Sequence, residues 1–267
     1  MALPPPETNS TCLVTGASSG IGAEIARGLA RRGHGVTLVA RREERLRELA
    51  DELASEHDVR AETIAADVSA ADERRKLTAE VEARGLTVEV LINNAGFGSG
   101  GKFVTLDAEK EASMIRTNVE AIVALAGHYL PQMVERGRGA VLNTASLISF
   151  QPVPYQATYG ASKAAILNFT DAVHEELRGT GVTITAVAPG PVRTEFGEAG
   201  GFGGADDKIP GWFWLDADDV AEAAIDGLEK GERVVVPGVI NQAAAYGGQH
   251  MPRSLLLPLA ARVWPVR

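Results

Sequence analysis

Short runs of apolar and β-branched residues alternate along this chain with longer stretches in which apolar side chains recur every three or four positions. The short runs fall at 11–15, 35–40, 60–65, 88–92, 140–144, 182–188 and 233–236 and read as strands. The stretches 21–32, 43–56, 70–84, 107–136, 155–178 and 216–230 read as helices. Ile25 with Leu29, and Leu46 with Leu49 and Leu53, show the helical spacing. Seven strands separated by six helical connections imply parallel pairing, because parallel neighbours need long crossovers. Right-handed crossovers then predict an α/β fold: a doubly wound, seven-stranded parallel sheet with helices on both faces.

Two segments break this rhythm. Residues 195–215 are rich in glycine (Gly197, Gly200, Gly201, Gly203, Gly204) and in large aromatics (Phe196, Phe202, Trp212, Phe213, Trp214). Residues 239–267 follow the last strand and form a C-terminal extension. Residues 1–10, with Pro4, Pro5 and Pro6, read as a flexible leader. The single domain expected between them spans 11–238.

Composition narrows the function classes. With 267 residues, 45% hydrophobic and 23% charged, one large ordered domain is expected. No run of 18 apolar residues occurs, so no membrane span is expected. A net charge of −9 speaks against nucleic acid as the main partner. Residues 1–10 lack the basic and apolar regions of a secretory signal, and the lone Cys12 fits a reducing compartment. The expected location is cytoplasmic. His34, His57, His128, His174 and His250 are scattered without ligand spacing, so no catalytic metal is expected. The stretch 255–263 is read as packing on the body or on a second subunit. A membrane-surface helix is the alternative, and Pro258 interrupts it.

Chemistry enters at the end of the first strand. Gly16-Ala17-Ser18-Ser19-Gly20-Ile21-Gly22 lies there, directly before a helix. Glycines permit a tight turn and close backbone approach to a pyrophosphate, and a helix N-terminus offers free N–H groups to it. This predicts a Rossmann-type dinucleotide site. The second strand ends in Arg41-Arg42, where an acid for the ribose 2′-hydroxyl would otherwise stand. Guanidinium groups suit a 2′-phosphate, which favours NADP(H) over NAD(H). The alternative is that both arginines only begin a solvated helix. Asp67 can accept the adenine amino group or cap the helix that follows.

Tyr159 and Lys163 stand at i and i+4 on one helix face, and Ser146 lies just past the fifth strand. A phenol titrates near 10, and a neighbouring ammonium favours its phenolate. A serine hydroxyl can hold a substrate oxygen. The three together suit proton transfer coupled to hydride transfer.

These motifs together resemble the short-chain dehydrogenase/reductase family, classical type, over residues 10–238. Thr15-Gly16-x-x-x-Gly20-x-Gly22 matches its nucleotide motif, and Asn93-Asn94-Ala95-Gly96 the motif closing its fourth strand. Tyr159-x-x-x-Lys163 with Ser146 matches its catalytic centre; Pro189-Gly190 and Thr194 match elements after the sixth strand. The resemblance implies that Tyr159 exchanges a proton with the substrate oxygen and that Ser146 orients that oxygen. It implies that Lys163 binds the nicotinamide ribose and lowers the Tyr159 pKa, and that Asn118 holds a water of the proton relay. Asp67 and Val68 resemble adenine contacts, and Asn94, Ala95 and Gly96 would pack beside the cofactor. Pro189, Gly190, Val192 and Thr194 would line the nicotinamide and pyrophosphate. The Arg41 position resembles that of NADP-preferring members. Those members often add a base inside the glycine motif, where Ser18 and Ser19 stand here. A homodimer or homotetramer is implied through helices 107–136 and 155–178, with Ile122, Leu125, Ile166 and Phe169 as compatible apolar residues.

The expected function is therefore NADP(H)-dependent interconversion of a carbonyl and an alcohol. The segment after Pro189-Gly190 covers the substrate in this family. Its aromatics here, with Lys208 its single lysine and no arginine, point to a lipophilic ketone, aldehyde or secondary alcohol. The alternative is that these aromatics only pack the lid onto the body. A non-catalytic NADP-binding regulator and a same-fold epimerase or dehydratase are the competing functions. Retention of both Tyr159 and Lys163 argues against the first, and the glycine spacing and length against the second.

Overall fold

Alternate residues of the strands feed two different cores, which is why these runs are apolar almost throughout. The computed structural model describes residues 3–197 and 210–263. Seven strands form one sheet: β1 (Ser10–Thr15), β2 (Val36–Ala40), β3 (Ala61–Ala65), β4 (Thr87–Asn93), β5 (Gly139–Thr144), β6 (Val182–Val187) and β7 (Val234–Val235). Their order is β3-β2-β1-β4-β5-β6-β7, and every pairing is parallel. Val14, Leu38 and Ile92 point into one core; Leu13, Val39 and Leu91 point into the other. A parallel sheet buried on both faces needs this near-continuous apolar sequence.

The first core is completed by α1 (Gly20–Arg31), α2 (Glu43–His57) and α7 (Ala217–Lys230), through Ile25, Leu46 and Ile225. The second takes α3 (Ala71–Ala83), α5 (Ala121–Arg136) and α6 (Ala157–Glu176), through Leu77, Leu125 and Phe169. The long helix predicted at 107–136 is α4 (Ala108–Ile115) and α5, joined by a π-helical stretch at Arg116–Glu120. Two more helices, α8 (Val239–His250) and α9 (Arg253–Val263), follow β7. The sheet reverses direction of growth between β1 and β4, and the carboxyl ends of these strands open the crevice where such folds bind ligands.

Three expectations need correction. The leader is not loose from Leu3 onward. Leu3 is buried in the first core, the Ser10 hydroxyl accepts from the Glu7 N–H at 2.8 Å, and Ser10 already belongs to β1. Pro258 does not interrupt the last helix; it lies inside α9. Its neighbours Ser254 and Leu255 are exposed, so the carbonyl freed by the missing N–H stays hydrated. Asp67 caps no helix: its carboxylate accepts from the Ser69 N–H at 2.9 Å, and α3 begins later, behind Ala70.

Candidate active site

Thr15 ties the ends of β1 and β4 together. Its hydroxyl donates to the Ile92 carbonyl at 3.1 Å and accepts from the N–H groups of Asn94 at 3.0 Å and Ala95 at 3.1 Å. The Asn94 amide donates back to the carbonyls of Thr15 at 3.2 Å and Gly16 at 3.3 Å, and its oxygen accepts from the Thr144 hydroxyl at 3.3 Å. Against this knot the glycine motif becomes obligatory. Gly16 sits at φ +70°, and a Cβ on Gly22 would come within 2.4 Å of both the Asn94 amide and the Gly16 carbonyl. The N-cap of α1, Ser19, makes no side-chain capping bond. The first N–H groups of α1 therefore face the crevice, as an anion site requires.

The two arginines after β2 separate in the structure. Arg42 is committed: its guanidinium donates to the Ser18 hydroxyl at 2.9 Å, the Ser19 hydroxyl at 2.7 Å and the Glu195 carboxylate at 2.9 Å. Arg45 adds a second bond to Glu195 at 2.7 Å, and the two guanidinium groups hold that exposed carboxyl down at about 2. Arg41 is exposed and makes no hydrogen bond or ion pair with a described residue. Its charge helps to lower the Asp67 pKa, although the hydrogen bonds from Ser69 do more.

Above β5, Ser146 opens a 3-10 turn, Leu147–Phe150, held by a reciprocal capping bond with Ser149. The turn sets the Ser146 hydroxyl on the cavity wall beside Tyr159, close enough to act on its pKa. Lys163, one turn further along α6, is buried; its ammonium donates to the Thr144 carbonyl at 2.6 Å and lies 5.9 Å from the centre of the Tyr159 ring. Burial pushes Tyr159 up to about 12, and the Ser146 bond pulls it partly back. Burial pushes Lys163 down to about 8. Desolvation sets the direction of both shifts.

Asn118 sits in the π-helical stretch and is fully buried. Its amide donates to the Phe97 carbonyl at 2.9 Å and the Ser162 hydroxyl at 3.0 Å, and its oxygen accepts from the Phe97 N–H at 3.1 Å. A Cβ on Gly96 would stand 2.9 Å from that oxygen and 3.6 Å from the Lys163 ammonium, so the three residues converge.

These groups surround one cavity of about 810 Å³. All the predicted site residues line it except Gly22 and Asn118, which stand in the layer behind. Phe97, Met114, Ile148, Val153 and Phe196 pack around Tyr159, with the Phe196 ring 5.7 Å from it. Trp212, Phe213 and Trp214 line the outer wall. The base of the predicted lid is stapled by paired backbone bonds between residues 191–193 and Leu215. Gly200, Gly201, Phe202, Gly203, Gly204 and Lys208 lie outside the described residues. Arg41, Arg42, Asp67 and Glu195 stand at the nucleotide end, and Lys163 is the remaining charged residue of the described lining.

Sequence reasoning missed four contributors. Thr15 and Ser162 sat inside quoted motifs without a role. The Thr144 carbonyl and the Arg45–Glu195 pair leave no local signal, the latter because 150 residues separate the partners.

A doubly wound sheet with a glycine loop at its switch point and a Ser–Tyr–Lys cluster above it defines an oxidoreductase of the dinucleotide-binding kind. Residues 10–200 match the family described as short chain dehydrogenase. The chain belongs to the short-chain dehydrogenase/reductase family. A short chain dehydrogenase of Pseudocercospora fijiensis is 39% identical over 189 residues, which are 70% of this chain and 61% of that protein. An uncharacterized oxidoreductase of Myxococcus xanthus is 36% identical over 225 residues, 84% of this chain and 86% of that protein. Among solved structures, a short-chain dehydrogenase from Sphingobium yanoikuyae in complex with NADPH superposes with a TM-score of 0.79 at 35% identity, covering 92% of this chain and 95% of that one. A 7beta-hydroxysteroid dehydrogenase superposes with a TM-score of 0.83 at 27% identity, covering 94% and 96%.

Proposed function

We propose that this protein is an NADP(H)-dependent oxidoreductase that interconverts a lipophilic carbonyl compound and its alcohol, with Tyr159 as the general acid/base. The observation that carries the proposal is the buried pair of Tyr159 and Lys163, with the Lys163 ammonium 5.9 Å from the Tyr159 ring and Ser146 lining the same cavity. The residues fit a dinucleotide. The uncapped start of α1 suits the pyrophosphate, the closely packed glycines leave room for it, and Arg41, without a partner among the described residues, suits a 2′-phosphate. When bound, that cofactor supplies or accepts the hydride.

The chain's own residues do the rest. Ser146 donates a hydrogen bond to the substrate oxygen and fixes its place beside Tyr159. With Tyr159 near 12 and Lys163 near 8, both are protonated at neutral pH. The phenol then stands ready to give its proton to a carbonyl oxygen as it becomes an alkoxide. Lys163 stabilises the phenolate left behind and restores its proton. Asn118 holds the loop at Phe97, and with it the Gly96 backbone, against the Lys163 side of the site. The apolar wall excludes water from the reacting atoms.

Substrate class follows from the lining. The substrate half of the cavity carries aromatic and aliphatic side chains with the neutral Ser113, Thr117, Gln151 and Gln156 among them, and no cation apart from Lys163 among its described residues. The neighbour of the same fold is described as a 7beta-hydroxysteroid dehydrogenase, which favours including steroids among the substrates. The test is a panel of aryl, steroid and long-chain ketones beside sugars and short sulfonated aldehydes, followed by NADPH absorbance. The expected ranking puts neutral apolar ketones first. Trp212→Ala and Trp214→Ala are expected to raise KM for the bulky ones more than for small ones. Sugars or sulfonates as the best substrates would overturn the substrate class.

A further inference from the structure

The C-terminal extension has too little to hold it. In α9 the buried side chain is Leu256, while Leu255, Leu257 and Leu259 are 60%, 39% and 51% exposed. An isolated helix of this length is marginal in water, and most helical stability comes from packing an apolar face. Helix α8 contains no charged Asp, Glu, Lys or Arg, and it turns Val239, Ala243 and Tyr246 outward at helical spacing. Val239 is 79% and Tyr246 69% exposed. Its other face is anchored: Gly248 lies against the Gln151 side chain, and Asn241 is buried against Gly190.

Charge marks the same region. From Arg233 to the last residue the sequence holds four arginines and neither Asp nor Glu, in a chain of net charge −9. Arg253 and Arg262 are exposed on α9 beside the leucines. Arg233 is paired with Asp171, which leaves Arg253 and Arg262 as the cations at this end among the described residues, with no carboxylate of the same segment to offset them. The end also adjoins the substrate entrance: Ala244 of α8 lines the cavity, and Trp212, 67% exposed, stands on its wall.

From these observations we infer that the outer face of α8 and α9 docks on an anionic lipid surface, leucines and Tyr246 in the interface and arginines at the headgroups. Basic residues beside an exposed apolar helix face are two of the features of an interfacial helix. A second copy of this chain would bring a like-charged cluster, Arg253 and Arg262, against itself wherever the contact is two-fold symmetric.

The test is vesicle co-sedimentation of the full chain with phosphatidylcholine alone and with added phosphatidylglycerol, at low and high salt. It reads binding without turnover, so it stands whatever the substrate proves to be. Binding is expected only with phosphatidylglycerol, weakening at least about tenfold at high salt. L255D/L259D and R253E/R262E are each expected to reduce it at least about tenfold, while turnover of a soluble ketone stays within about twofold. These side chains are exposed, so folding persists, as far-UV circular dichroism will confirm. Failure to bind phosphatidylglycerol vesicles, or binding that ignores both double variants, overturns the inference. Light scattering that shows L255D/L259D splitting an oligomer, with no vesicle binding by the parent, overturns it in favour of a subunit contact.

Discussion

Arg41 and Arg42 are adjacent and chemically alike, yet the fold gives them different work. Arg42 spends its donors on Ser18, Ser19 and Glu195, while Arg41 is left without a described partner. Arg41→Ala is accordingly expected to weaken NADPH binding about 10–100-fold, the scale of a lost charge-assisted contact, and to leave NADH nearly unchanged. Fluorescence titration with each cofactor checks this, and equal losses for both would contradict it. Titration behaviour is also a residue property. Raising the pH through about 8 discharges Lys163, whereas Tyr159, near 12, stays neutral. For carbonyl reduction, kcat/KM is expected to be level below that point and to fall about tenfold per pH unit above it. A profile that climbs above pH 8 would contradict the assignment. The candidate catalytic side chains were legible because Ser146, Tyr159 and Lys163 are chemically unusual at fixed spacing. The direction of the Tyr159 shift was not, because burial is a property of the folded surroundings and no spacing encodes it.

Elements position these residues, and the π-helical stretch at Arg116–Glu120 is the least regular of them. It turns Asn118 toward the loop after β4, where one side chain satisfies both backbone groups of Phe97 and bonds Ser162. Such insertions cluster at functional sites. Asn118→Ala strands buried polar groups and is expected to lower stability by about 1–3 kcal/mol. Urea unfolding should show a lower midpoint at unchanged slope; an unmoved midpoint would mean that water replaces the amide at no cost. The helix at 107–136 was legible from its apolar period, but its π insertion was not, since it adds no distinctive residue. The strands were legible for the reason that makes them buried on both faces. At the ends the sequence misled. Three prolines suggested a loose leader, yet Leu3 finds the first core, and Pro258 suggested a break that hydrated carbonyls make unnecessary.

At the scale of the whole molecule, one sheet gathers chemistry from positions far apart in the chain. The glycine loop, the Asn94 knot, and Ser146 with the Tyr159–Lys163 face come from three different crossovers and meet at the carboxyl edge. Of the apolar residues on the long helices, some are spent inside the chain and others remain for a subunit contact. Ile122, Leu125 and Ile166 are 3%, 2% and 0% exposed and are spent inside the chain, leaving the half-buried Phe169 and Ile115, Val123 and Val134, which are 38%, 42% and 39% exposed. The central claim is that this gathered cluster moves a proton between Tyr159 and a substrate oxygen. Tyr159→Phe tests it most directly, because it removes one hydroxyl and keeps the ring that packs on Phe196. Steady-state turnover of the best ketone from the panel is expected to fall at least about 10²-fold, with NADPH affinity and urea stability essentially unchanged. Turnover near that of the parent protein would contradict the account.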